Sequence, residues 1–480
     1  MTSLSHLKTS CGTAIALSAL FFAAGAAPAS AAPSCMPKIE GPIPVTAASK
    51  IYEPFSDAYA GGKPPAGEKE EEFFVSCTVS GGAYKTVIHV TLPTDPARQS
   101  NVVITEPWHP QDFWTIYDKA RNYITSAGHV SVVIVASNFI LTNFIKKGNP
   151  ERYASLTLPG PATGGAGAVG AVRPANAPRA PAGPPDTTQS EVLGQVGALI
   201  KSGGIPGVKA RKAVLGGMSA TGGVTRAYIQ YEHQTPGAKS VYDGYFPEQA
   251  GGDPIMDLDV PVVEIQGERE LIGAFERNGA DYLRYRRPDG ANYRLYEAPA
   301  SPHIGTRVAY QAVGPQPTNR IEPGIADCTG HTWSDYPTDM LFDVALDNLV
   351  QWVDKGVAAP HVPWIDTSAD GSIIHRDEFG NALGGLRMSY VDVPTNTYHA
   401  NWGHYVTSST GVQSDTQAAH CDLIGWINPL PAETIKRLYP THADYVAKVD
   451  KDNADLVAKH WLLPADAARL HAEALAAKVP

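Results

Sequence analysis

Ala213-Val214-Leu215-Gly216-Gly217-Met218-Ser219-Ala220-Thr221-Gly222-Gly223 is the stretch on which the reading of this chain turns. Val214 and Leu215 close a short apolar strand, the small residues after them set a cramped bend, and a helical stretch follows. A serine at such a bend is lifted clear of its sheet, and its neighbours must be small because the backbone passes close to strand and helix. A helix starting there also presents backbone N–H groups to developing negative charge. The pattern is Gly-x-Ser-x-Thr, with Gly222 and Gly223 one step later than the more usual glycine. A plain glycine-rich turn reads the same way, so the case for Ser219 as a nucleophile depends on what the rest of the chain supplies.

Strand-like segments stand on both sides of this bend. Residues 84–92, 101–105 and 129–136 precede it, and 260–266 and 293–298 follow it, each rich in β-branched or aromatic residues. Helix-length stretches lie between them, such as 190–201. The alternation predicts an α/β fold with a mostly parallel, doubly wound sheet. A later helix is expected over 338–355, with Pro337-Thr338 at its start, Gly356 past its end and one stripe of Leu341, Ala345, Leu349 and Trp352. From Pro431 onward the pattern is helical. Residues 32–80 read as polar and irregular, with an acidic patch at Glu68-Lys69-Glu70-Glu71-Glu72. At 160–185, 20 of 26 residues are Gly, Pro or Ala, which predicts a flexible insertion that buries little.

A serine hydroxyl needs a base, and the base needs a carboxylate to fix its tautomer and stabilise its charged form. In strand–serine–helix enzymes the acid and then the base follow the serine, each after a later strand. The strand at 260–266 ends in Gly267-Glu268-Arg269-Glu270, which puts Glu270 in the acid position with Glu268 as competitor. The strand at 293–298 ends in Pro299-Ala300-Ser301-Pro302-His303, which makes His303 the expected base. His331, His399 and His404 are lesser candidates. One oxyanion donor is the backbone N–H of Ala220. The second is that of Trp108 or His109, since the flanking Pro107 and Pro110 have none. The aromatic run Tyr398-His399-Ala400-Asn401-Trp402-Gly403-His404-Tyr405 reads first as packing and second as pocket lining.

The bend, the turn at 267–270 and the helix ending Leu349-Val350-Gln351-Trp352-Val353-Asp354-Lys355-Gly356 occur together. So do Asp377-Glu378-Phe379-Gly380-Asn381-Ala382-Leu383-Gly384-Gly385-Leu386-Arg387, Val391-Asp392-Val393-Pro394 and Cys421-Asp422-Leu423-Ile424-Gly425. In this combination the chain resembles the large exported bacterial alpha/beta hydrolase domain proteins, over roughly residues 80–480. The resemblance implies an α/β-hydrolase fold, with long insertions and a helical C-terminal region, and the hydrolysis of esters. It names no substrate. Thr221, a Glu at 270 where Asp is more common, and the 160–185 insertion depart from the pattern. Asn381 to Arg387 reads as a structural turn against the core.

Composition bounds the rest. Of 480 residues 43% are hydrophobic, enough for a large core. The formal net charge is −10 and no long Lys/Arg run occurs, which argues against nucleic acid or an anionic membrane as partner. Residues 1–31 read as a secretory leader: Lys8, an apolar run, then Ala29-Ser30-Ala31 before a cleavage point. A secreted or periplasmic protein of residues 32–480, without stable membrane insertion, is expected. Four cysteines follow the leader, and Cys35–Cys77 and Cys328–Cys421 are the expected disulfides because each joins segments within one half of the chain. No zinc spacing is present, and neither metal nor organic cofactor is required. The reading is an exported serine esterase acting on a small or polymeric ester through Ser219, His303 and Glu270. A peptidase or amidase with the same triad, and a binding module that keeps the fold without catalysis, are the alternatives.

Overall fold

The computed structural model describes residues 35–52, 66–110, 116–162, 187–235, 237–272, 286–305, 307, 331–401 and 423–479. The leader, most of the 160–185 insertion, Cys328, Cys421 and Trp402 to Tyr405 lie outside them.

Nine strands form one sheet. They are β1 (Lys38–Glu40), β2 (Glu68–Val79), β3 (Gly82–Pro93), β4 (Val102–Pro107), β5 (Val130–Ile134), β6 (Lys212–Met218), β7 (Gly244–Glu248), β8 (Val262–Gly267) and β9 (Tyr293–Ala298). Their order is β1-β2-β3-β5-β4-β6-β7-β8-β9. Pairings from β1 to β5 are antiparallel, and those from β5 across to β9 are parallel. Strands β4 to β9 are buried almost end to end, as strands covered on both faces must be.

The main helices are α1 (Thr188–Lys201), α2 (Ala220–Glu232), α3 (Thr338–Lys355), α4 (His442–Ala458) and α5 (Pro464–Ala476). Tyr245 and Phe246 are consecutive on β7, so they point to opposite faces. Tyr245 meets Tyr228 of α2, with ring centroids 6.2 Å apart, and Phe246 meets Phe342 of α3 at 6.1 Å. Helices α2 and α3 therefore cover opposite sides of the sheet. The expected stripe of α3 is buried in full, and Gly356 ends the helix in the left-handed conformation at φ 70°. Its start is where it is expected, with Thr338 the first helical residue, and Pro337 occupies the cap, which no side chain bonds.

The irregular segment expected at 32–80 is instead partly strand. β2 pairs with β3 along twelve residues, from Glu68 opposite Pro93 to Val79 opposite Gly82. Its polarity hid it. Glu72 is buried, held by Arg152 Nε at 2.6 Å and the Tyr153 hydroxyl at 2.8 Å, so an inward-facing position carries a carboxylate where a strand pattern would show an apolar residue. Cys35 and Cys77 are paired as expected, with Cα atoms 6.2 Å apart. Cys328–Cys421 falls outside the described residues.

A second, three-stranded antiparallel sheet comprises β10 (Thr332–Trp333), β11 (Asn396–His399) and β12 (Trp426–Pro429). The motif around Asn381 fastens it. The Asn381 Oδ1 accepts the Tyr398 N–H at 2.8 Å and its Nδ2 donates to Asn396 O at 3.2 Å. Leu386 N–H donates to Glu297 O of β9 at 2.7 Å, which ties the same motif to the edge of the main sheet. No helix of the described residues is long and apolar enough to cross a membrane.

Candidate active site

All parallel strands end on one edge of the sheet, and the loops after β4, β6, β7, β8 and β9 meet there. Ser219 sits between β6 and α2 at φ 57°, ψ −121°, a conformation that L-residues rarely adopt. Its N–H donates to Glu248 O at 2.9 Å, and its C=O accepts the Gly223 N–H at 2.9 Å as α2 begins. The close approach demanded of its neighbours is real. A Cβ on Gly217 would lie 2.3 Å from Thr221 O, and one on Gly222 would lie 2.7 Å from Glu248 O. The departure at Thr221 has a local reason: its Oγ1 donates to Met218 O at 2.9 Å and accepts the Met218 N–H at 3.0 Å, stapling the bend.

His303 lies in the loop after β9, its side chain mostly buried, with Nδ1 2.6 Å from Glu270 Oε1. Glu270 Oε2 accepts the Gly267 N–H at 2.9 Å, which fixes the carboxylate. A carboxylate at Nδ1 keeps the proton there and leaves Nε2 as the basic nitrogen. The competitor Glu268 is engaged elsewhere. It is fully buried, takes the Ala300 N–H on Oε2 at 2.7 Å and pairs with Arg376 Nη2 on Oε1 at 2.6 Å. Ala300 is itself held at φ 63°, so Glu268 braces the loop that carries His303. Ile304 N–H donates to Leu423 O at 2.8 Å on the far side of the same loop.

The segment after β4 is buried at Trp108 and His109. The Trp108 amide donates to Ile134 O at 2.9 Å, which ties this segment to β5. Burial, with His303 close by, holds the His109 ring down at about 3. Ala220 is the first residue of α2, where N–H groups have no intrahelical acceptor. Of the lesser histidines, His331 and His399 stack on Trp426, with ring centroids 3.9 and 3.8 Å away, and His404 lies outside the described residues. Tyr398 packs on Tyr336 and Tyr390 and donates to Asp335 Oδ1 at 3.0 Å, so that part of the aromatic run is packing.

Sequence reasoning passed over Lys119 and the β7 end. Lys119 is buried with its ammonium 5.1 Å from the Phe342 ring. Burial lowers it to about 8, while Asp118, Glu270 and Asp339 oppose that shift. Glu248 ends β7 and Gln249 follows it; Pro247 and Glu248 disguise that strand, and no motif marks either residue.

An α/β sheet whose serine follows one strand in a strained bend, and whose imidazole and carboxylate follow later strands, has the architecture of an α/β hydrolase. The chain belongs to the alpha/beta hydrolase domain family, whose model matches residues 42–472. None of the curated proteins compared with it matches. Solved structures similar to it include brefeldin A esterase, a bacterial homologue of human hormone-sensitive lipase (14% identity, 42% of this chain and 45% of that one, TM-score 0.24). Another is a putative dienelactone hydrolase from Klebsiella pneumoniae (12%, 49% and 86%, TM-score 0.27). A third is a thermostable esterase from Pseudomonas putida (10%, 48% and 73%, TM-score 0.27). At these scores the likenesses carry no argument about activity.

Proposed function

We propose that the protein is a serine hydrolase that cleaves carboxylic esters. Ser219 attacks the ester carbonyl carbon and passes its proton to Nε2 of His303, while Glu270 holds the imidazole by Nδ1 and stabilises its charged form. The N–H of Ala220 and a backbone donor from the segment after β4, that of Trp108 or His109, receive the oxyanion. Collapse expels the alcohol, which takes the proton from His303, and water releases the acyl group by the same route in reverse. The observation that carries this reading is the pairing of His303 Nδ1 with Glu270 Oε1 at 2.6 Å, in the chain order that the strained Ser219 requires. The leader-like residues 1–31 and the Cys35–Cys77 pair support export to an oxidising compartment.

The test is fluorophosphonate labelling of the folded full chain with peptide mapping, beside p-nitrophenyl esters and the matching p-nitroanilides. The expected result is an adduct on Ser219, none on Ser219→Ala, and faster turnover of ester than of anilide. A folded protein that takes no label would reduce it to a binding module. Anilide turnover exceeding ester turnover would make it an amidase or peptidase.

A further inference from the structure

Gln249, the residue after β7, combines two unfavourable features. Its backbone has φ 47°, a region that a residue with a Cβ enters at a cost. The residue is 3% exposed, and its amide oxygen Oε1 has no hydrogen-bond partner among the described residues. A residue with both persists only where its surroundings over-determine it, and such residues gather at functional sites.

What holds Gln249 and Glu248 in place is a set of four bonds that join three loops. Glu248 O accepts the Ser219 N–H at 2.9 Å. Glu248 Oε2 accepts the Ile265 N–H at 2.7 Å, and Gln249 N–H donates to Ile265 O at 2.8 Å. Gln249 Nε2 donates to Pro302 O at 3.2 Å, one residue before His303. The backbone ladder between β7 and β8 is registered only at Tyr245 and Val262, so toward the site this dipeptide supplies the connection that the ladder does not. Burial, with Glu264 close by, holds the Glu248 carboxyl well above the usual carboxylate range.

We propose that Gln249 is a positioning residue: its side-chain amide holds Pro302, and through it His303, at a set distance from Ser219, whose amide the preceding residue holds. Its kinetic consequence rests on the serine-hydrolase reading, and its geometric consequence does not.

The test uses Gln249→Met and Gln249→Glu in the full chain. Both delete the Nε2 donor, and Met also deletes the unpartnered oxygen, so Gln249→Met is the variant expected to keep its folding stability. The readouts are kcat and KM on p-nitrophenyl acetate, the low-field proton resonance of His303 Nδ1–H against Glu270, and thermal unfolding. The expected result is a kcat lower by about tenfold or more with KM within about twofold, because displaced reacting groups lose rate and not binding. The resonance shifts in both variants. Lowering the pH narrows the kcat deficit of Gln249→Glu relative to wild type at the same pH, because a protonated carboxyl again donates to Pro302 O, and does not narrow that of Gln249→Met. Wild-type kcat and an unmoved resonance in both variants would overturn the proposal, as would a loss of melting temperature with unchanged kinetics. A wild-type protein with no esterase turnover, whose resonance still moves in Gln249→Met, would sink the hydrolase reading and uphold the positioning role.

Discussion

Nδ1 of His303 lies 2.6 Å from Oε1 of Glu270, and the second oxygen of that carboxylate is held by the Gly267 amide. Glu268, two residues earlier, faces Ala300 and Arg376 instead. The two acids should therefore fail in different ways. Glu270→Gln leaves a neutral amide at the imidazole and should lower kcat by about 10³-fold or more, with little change in melting temperature. Glu268→Gln weakens a buried, charge-assisted contact and should cost about 1–3 kcal/mol in chemical denaturation, with kcat within about tenfold of wild type. Steady-state kinetics and urea titrations of the pair check both, and a larger kcat loss for Glu268→Gln would reverse the assignment.

Thr221 does in this bend what a bare glycine does not, because its hydroxyl bonds both the N–H and the C=O of Met218. Thr221→Val keeps the shape and strands a buried N–H. A loss of about 1–3 kcal/mol is expected, together with a lower kcat, since Met218 is the residue before the proposed nucleophile. Thr221→Ser keeps the hydroxyl and should remain near wild type in both measurements. If Val and Ser behave alike in unfolding and turnover, the staple has no energetic role.

Ser219, β8, β9 and His303 are legible because the bend, the apolar runs and the chain order are local patterns. The choice between Glu268 and Glu270 is not, since both follow the same strand within three residues. What separates them is Arg376, 108 residues from Glu268 in the chain. β2 escapes a pattern search because Glu72 faces inward onto Arg152 and Tyr153. β7 escapes it because five residues that include Pro247 and Glu248 do not look like a buried strand. Gln249 has no signature of any kind, for its partners are backbone oxygens and amides that only the folded chain brings near. The pairing of Trp108 N–H with Ile134 O is likewise a contact that no local pattern announces.

The inward acids of β2 make stability depend on pH in a direction opposite to that of a salt-bridged carboxylate. Burial, and then the charge of Glu72, push Glu70 up to about 8, from the 4.5 usual for a glutamate. The folded state thus binds the proton more tightly than the unfolded chain does. The stabilisation is complete below about pH 4.5 and is lost as pH rises toward 8. Melting temperatures measured from pH 5 to 9 should fall with rising pH, and Glu70→Gln, which stays neutral throughout, should flatten that fall. A Glu70→Gln curve parallel to wild type would mean that Glu70 does not ionise in this window.

Ser219 is where the fold and the proposed chemistry conflict, and substitution there separates them. At φ 57° and ψ −121° any side chain with a Cβ is strained, so Ser219→Ala keeps the strain and removes only the hydroxyl. It should abolish turnover and leave the melting temperature nearly unchanged. Ser219→Gly also abolishes turnover, but it releases the strain. The greater freedom of glycine in the unfolded chain offsets part of that release, and a net gain of about 1 kcal/mol over Ser219→Ala is expected. Differential scanning calorimetry of the two variants measures the difference directly. A glycine variant less stable than the alanine variant would show that the bend is relaxed, and the strain assigned to the nucleophile would have to be withdrawn.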